Sequence, residues 1–488
     1  MMQMMKDRWV WILIAAIGMG ALVFPWWVVA VEIILVASLW GLAGKSKAPA
    51  LSGRWWWGLA LVILLSRLLV FAWSSLPFGY DTGLYRYEMW QSFQALPEYV
   101  SGLFLGLPLL SSVFQLFGAS IDGLLLGMPV LFSVLVGGLL VIFVKERFGS
   151  RPALIAGLLF ALSLVQWQAF EMILLKQLLA LGLVMLSFLL LEKRSWWVAP
   201  VLGFLVLLQP LDALFVGGAV VIMAAIDRGY WLKLLGLGVL GMGLLFLIES
   251  GFWQDALEIF QTGLLSPGDL EVSLQEGVFL GLKQYGYQAS LYFALGVGGL
   301  IWTTKKEGWG LFQGYVLLVA LWVFAGLFFS QRLLIQLDLA LMIFAALFLE
   351  ALMGKERWVV MVILGAAALP MVGHLWRFQP LISAEELANI ETFCEELPEE
   401  AFIMATDSAY APWMRGYCLD QRVIAPGMFE WNQWSKEQWV TFWRGDRQEE
   451  LLSIYEGDLW LYIGKNQPEV LLSENTFEDL GEGWWKRR

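Results

Sequence analysis

The sequence predicts an all-α polytopic membrane domain of about 13 transmembrane helices, with interfacial helices in its first external loop, followed by a small extracytoplasmic α/β domain. Three observations carry this reading. The first is apolar content. Of 488 residues, 59% are hydrophobic and only 15% are charged, and the mean hydropathy is +0.69. A soluble chain of this length needs far more charge to cover its surface. The second is where the basic residues fall. Lys45, Lys47 and Arg54, then Lys145, Arg147 and Arg151, Lys193 and Arg194, Arg228, Lys305 and Lys306, and Lys355 and Arg357 punctuate successive apolar runs. An alternating path puts nearly all of them on one side, as cytoplasmic loops require. The third is a composition change near residue 376. From Trp376 to Arg488 there are 21 acidic and 10 basic residues, whereas the chain before it is balanced. Residues 1–375 therefore read as the membrane domain and 376–488 as the second domain.

Taken in order, residues 9–43 form an apolar run too long for one comfortable span. A hairpin turning near Phe24-Pro25 keeps Lys6 and Arg8 on the same side as Lys45 and Lys47, which places the N-terminus in the cytoplasm. No small-residue cleavage site follows Lys6 and Arg8, so this segment reads as an uncleaved anchor. A third span, 55–76, runs outward. The first external loop, 77–119, follows, and its 93–118 segment is broken by Pro97, Gly102, Gly106 and Pro108 into short helices on the outer face. Spans are then expected at 120–144, 152–166, 173–191, 196–208, 213–226, 232–248, 287–302, 309–329, 333–352 and 358–375. The last one leaves the acidic domain outside the cell membrane.

In that domain Ala401–Ala405 and Leu459–Ile463 have strand character. Ser383–Leu397 reads as a helix opened by a Ser-x-x-Glu capping box, Ser383 with Glu386. The tryptophans from Trp413 to Trp443 suit either core packing or a carbohydrate- or membrane-facing surface. The terminal Trp484-Trp485-Lys486-Arg487-Arg488 suits lipid headgroups. Cys394 and Cys418 lie on the oxidising side, where a disulfide is open to them. With one His in the chain they fit no metal spacing. No basic patch points to nucleic acid.

The candidate chemistry lies outside the membrane. In Phe78-Gly79-Tyr80-Asp81-Thr82-Gly83 an acid sits between glycines just after an outgoing span, in a turn that leaves its carboxylate accessible. Helix N-capping is the competing role for Asp81. Glu88, seven residues on, would share its helix face. The other outer polar residues are Arg86, Glu171, Lys176, Asp212 and Arg332. Acids and bases gathered at one membrane face suit an amphiphilic, anionic substrate such as a lipid-linked phosphate. Arg332 or Lys176 would hold the phosphate, for which the arginine fork is well shaped. A carboxylate beside it would take a proton from an acceptor.

This arrangement resembles the GT-C superfamily of integral-membrane glycosyltransferases, the type that includes oligosaccharyltransferases, protein mannosyltransferases and aminoarabinose transferases. The resemblance rests on many spans, an acid in the first external loop at Phe78–Gly83, a late arginine at Ser330-Gln331-Arg332, and an extracytoplasmic C-terminal domain. It implies transfer of a sugar, with inversion, from a polyprenyl-phosphate donor at the bilayer to a protein, lipid or surface-polymer acceptor. Asp81 would be the base or acceptor-orienting acid, with Glu88 as a catalytic helper. Arg332 and Lys176 would bind the donor phosphate, with Arg86 and Tyr80 as further substrate contacts. A divalent cation, Mg or Mn, would be held by Asp81 and Glu171. The sequence departs from the oligosaccharyltransferase pattern in two places. Gln166-Trp167-Gln168-Ala169-Phe170-Glu171 stands where those enzymes carry a second acidic metal motif, and the tail has no Trp-Trp-Asp motif. Two other function classes remain. A transporter of lipid-linked glycans predicts charges near the mid-membrane and repeat-related broken helices. A non-catalytic scaffold predicts only the fold.

Overall fold

The computed structural model describes residues 53–68, 71, 79, 81–94, 106–226, 281–327, 330–353, 357–375, 378, 380–406, 410–426, 433–464, 470–473 and 475–488. The hairpin expected at 9–43, the span at 232–248, the loop after it and Tyr80 lie outside the described residues.

The membrane domain comprises α1 (Gly53–Leu68), α2 (Thr82–Gln94), α3 (Gly106–Leu116), α4 (Ile121–Phe148), α5 (Ser150–Leu162), α6 (Leu164–Glu171), α7 (Leu175–Glu192), α8 (Val198–Leu208), α9 (Pro210–Ile226), α10 (Leu282–Glu307), α11 (Leu311–Phe324), α12 (Leu334–Met353) and α13 (Arg357–Leu375). Among the described residues, three helices are long and apolar enough to cross a membrane: Ile121–Phe148, Leu175–Glu192 and Leu334–Leu352. The pair α5 and α6, bent by 52°, makes a fourth when counted as one span. The other expected spans fall on shorter apolar helices, on α10, or outside the described residues. At 11 residues α8 is about 16 Å long, roughly half of a bilayer core.

Local chemistry explains the long α4. The Ser120 hydroxyl accepts from the Gly123 N–H, Asp122 sits in the first turn, and Lys145 and Arg147 sit in the last, all complementing the helix dipole. At the same end of the bundle Lys145 lies over the Trp56 ring, Arg147 pairs with Glu192, and Lys193 lies 3.6 Å from Glu146. The basic turns that the sequence puts on one side thus meet in space. Asp81, Lys176 and Arg332 meet at the ends opposite to these.

The second domain comprises α14 (Ala384–Glu396), β1 (Phe402–Ala405), α15 (Ala411–Tyr417), β2 (Arg422–Ile424), α16 (Lys436–Trp443), α17 (Gln448–Leu452), β3 (Leu459–Tyr462), β4 (Phe477–Gly481) and β5 (Trp484–Arg487). The sheet order is β2-β1-β3-β5-β4, parallel across β2-β1-β3 and antiparallel beyond. Every residue of β1 is buried because the sheet has a hydrophobic cluster on each face. The Ser383–Glu386 capping box forms as expected. A second, Ser435 with Gln438, opens α16. Trp413, Trp434 and Trp439 are buried, so these three pack the cores. Trp484 stacks on Phe393, and Arg487 donates to the Leu452 and Tyr455 carbonyls. Both residues are therefore engaged within the fold of their own domain. Cys394 and Cys418 are joined as a disulfide between α14 and the end of α15.

Candidate active site

Asp81 stands at the mouth of α2. Its carbonyl accepts the first helical bond, from the Tyr85 N–H at 2.9 Å. Its carboxylate makes no capping bond among the described residues. The Thr82 hydroxyl turns back to the Gly79 carbonyl at 2.8 Å. The side chain of a backbone N-cap residue normally accepts from the helix amides. Here it is left to other work.

Three ionic groups surround it. Asp81 is 8% exposed, and burial raises its carboxyl above the ordinary aspartate range. Arg332 opposes that rise most strongly and Lys176 next, while Glu88 adds to it. The four residues thus lie within charge range of one another. Lys176 Nζ donates to Glu88 Oε1 at 3.0 Å and lies 5.5 Å from the centre of the Tyr85 ring. Glu88 is accordingly held as the partner of Lys176. Its Oε2 is buried without a hydrogen-bond partner among the described residues.

Glu171 lies on the next turn, which connects α6 to α7. A Cβ at Gly79 would overlap the Met172 carbonyl, so the Asp81 loop rests directly on this turn. Ile173 in the turn has φ 53°, a left-handed conformation that a β-branched residue rarely adopts, and it is fully buried. The single imidazole of the chain, His374 on α13, meets Glu171 Oε2 through Nε2 at 2.7 Å and stands edge-on to Trp167.

Two of the outer polar residues are engaged by other parts of the chain. Arg86 is committed elsewhere: it donates to Asp122 at 2.9 Å and to the Gly416 carbonyl at 2.5 Å, and it covers the Tyr417 ring. Its work is to join the two domains. Asp212 is fully buried in the first turn of α9, where both its oxygens accept from Gln336 at 3.1 Å. Among the described residues no three His, Cys, Asp or Glu side chains converge, and Glu171 is engaged by His374.

Sequence reading missed a buried cluster at the bend between α5 and α6. Ser163 caps α6 and donates to Asp338 at 3.1 Å. Gln166 Nε2 and Tyr292 OH donate to the same carboxylate at 2.9 and 2.7 Å. Asp338 lies inside an apolar helix, and that position was the available signal.

No family model matches the chain, and no curated protein does. Among solved structures it is similar to the oligosaccharyltransferase of Archaeoglobus fulgidus in the apo form, at TM-score 0.54 and 15% identity, covering 83% of this chain and 68% of that one. It is also similar to ArnT from Cupriavidus metallidurans in the apo state, at TM-score 0.54 and 12% identity, covering 84% and 93%.

The chain has the GT-C fold.

Other structures sharing this GT-C fold hold lipid phosphates. The archaeal oligosaccharyltransferase AglB has been solved with an inhibitory peptide and a dolichol-phosphate, at TM-score 0.51 and 15% identity. ArnT has been solved with undecaprenyl phosphate, at TM-score 0.52 and 13% identity. At such identities the likeness speaks for the fold alone. Among the described residues, the group around Asp81 brings a buried carboxylate within charge range of two cations, Arg332 and Lys176.

Proposed function

We propose that this protein is a multi-pass membrane glycosyltransferase that moves a sugar from a polyprenyl-phosphate donor to an acceptor outside the cytoplasm. One observation carries the reading: a buried, uncapped Asp81 carboxylate within charge range of Arg332 and Lys176. The donor tail lies in the bilayer beside the spans. Arg332 is the main ligand of the donor phosphate and Lys176 the second, with Glu88 holding Lys176 in place. Arg86 serves docking rather than the donor, and Glu171 with His374 shapes the adjoining turn.

Transfer is a single displacement with inversion. The acceptor oxygen or nitrogen attacks the anomeric carbon from the face opposite the phosphate. The bond from that carbon to the phosphate oxygen breaks, and its electron pair leaves with the phosphate. Arg332 and Lys176 offset the charge that develops there. The acceptor proton passes to Asp81, which burial makes more basic than an exposed aspartate.

Asp338 is the observation that favours transport instead, since a buried acid inside a span marks many ion pathways. Three donors already satisfy its carboxylate, which suits an anchor between helices better.

The proposal is tested with purified protein in lipid nanodiscs and a radiolabelled polyprenyl-phosphate sugar. The wild type is expected to release polyprenyl phosphate when acceptor is supplied. Arg332→Ala should raise the donor KM at least tenfold. A wild type that moves the intact donor across the bilayer without cleaving it would replace this reading with transport.

A further inference from the structure

The second domain docks on the helix that carries Asp81. Among the described residues, the main contact between the two domains is α15 against α2. The two helices approach through glycine on both sides. A Cβ at Gly83 would overlap the Pro412 carbonyl, and one at Gly416 would overlap the Gly83 backbone. Two cations then cross the seam in opposite directions. Arg86 of α2 lies 4.2 Å from the centre of the Tyr417 ring, and Arg415 of α15 lies 3.7 Å from that of Tyr87. A guanidinium over a ring face is attracted by the ring's quadrupole, most strongly where water is excluded. Arg86 also reaches Asp122, so the seam is tied to α4 as well.

These contacts fall on the first two turns of α2. Asp81 precedes Gly83 by two residues, and Gly79 rests on the Met172 turn from the other side. The start of α2 is thereby gripped between the second domain and the membrane helices. A carboxylate that must meet an acceptor proton loses about 100-fold in rate for a displacement near 1 Å. We infer that α15 is a positioning element for Asp81: Arg415 on Tyr87, together with the Gly83–Gly416 approach, fixes the carboxylate against Arg332. This rests on the transferase reading above. It adds that the second domain takes part in setting up catalysis and is not merely carried outside the membrane.

The test uses the full chain in nanodiscs and three variants: Arg415→Ala, Tyr87→Ala and Tyr87→Phe. Amide hydrogen exchange is followed over 82–94 and over 334–353, and transfer kinetics are measured in parallel. Arg415→Ala and Tyr87→Ala are expected to speed exchange over 82–94 at least tenfold, with 334–353 unchanged. Both should lower kcat at least tenfold while the donor KM stays within twofold. Tyr87→Phe keeps the ring under Arg415 and should match the wild type in every readout. Unchanged exchange in both alanine variants would overturn the grip itself. Faster exchange with unchanged kcat would overturn the positioning role. A wild type without transfer would sink the functional reading, while the exchange rates would still decide whether the grip exists.

Discussion

Burial and charge pull on Asp81 in opposite directions, and the balance defines what can be measured. Its carboxyl is raised by burial and lowered by Arg332 and Lys176. Transfer that needs the ionised carboxylate should therefore fall on acidification at a pH above the usual aspartate range. Removing Arg332 takes away the strongest opposing charge, so Arg332→Ala should move that acid limb to higher pH. A pH profile of kcat/KM checks both statements. The linkage sign also follows. An acid whose folded pKa is raised binds more protons in the native state between its unfolded and folded values, so stability falls as pH rises through that window. Asp81→Asn removes this cost, and its Tm at neutral pH is expected to equal or exceed that of the wild type, while kcat falls at least about 100-fold, or about 2.7 kcal/mol of barrier. A Tm several degrees lower would mean that the carboxylate serves the fold. Asp81, Lys176 and Arg332 were legible in the sequence because each ends or follows an apolar run, and alternation brings such ends together. Asp338 was not, because one acid inside twenty apolar residues gives no sign of which neighbours face it. The Glu171–His374 pair, 203 residues apart, has no sequence signal either.

At the scale of elements, polar side chains decide where helices stop and bend. The break between α5 and α6 contains no proline. Ser163 makes it, by capping α6 while its hydroxyl binds Asp338 on α12. The same cluster reaches Tyr292 on α10, so four helices are pinned around one carboxylate. Asp338→Ala would orphan three buried donors and is expected to cost at least about 3 kcal/mol, seen as a marked loss of Tm. Asp338→Asn keeps an acceptor oxygen and should lose less. In the second domain, Ser383→Ala removes a capping box that was readable as Ser-x-x-Glu and should cost about 1 kcal/mol. The edge hairpin β4–β5 was not readable, because its residues include Glu478, Asp479, Lys486 and Arg487 and turn on Glu482-Gly483. Its strands are recruited by pairing with β3, a tertiary effect that overrides local preference.

For the whole molecule, segregation of charge is the organising fact. Basic turns gather at one end of the bundle, and the Asp81 cluster with the second domain gathers at the other. The Cys394–Cys418 bridge steadies the docking end, since Cys418 directly follows α15. With its partners 24 positions apart, loop closure is worth about 3 kcal/mol in the chain-entropy model. The Cys394→Ser/Cys418→Ser variant should therefore unfold its second domain at lower temperature and expose 82–94 to exchange. Composition and charge spacing were enough to read a membrane domain followed by an acidic α/β domain. The docking was not readable, because Gly83 and Gly416 are 333 positions apart and glycine carries no sign of what it approaches.

The role proposed for Asp81 is to take the acceptor proton in a sugar transfer. Its most direct test compares wild type and Asp81→Asn in nanodiscs with a labelled polyprenyl-phosphate sugar and acceptor, measuring single-turnover transfer. The wild type is expected to transfer the label, and Asp81→Asn to bind donor equally well yet transfer it at least about 100-fold more slowly. Equal rates for the two proteins would contradict it.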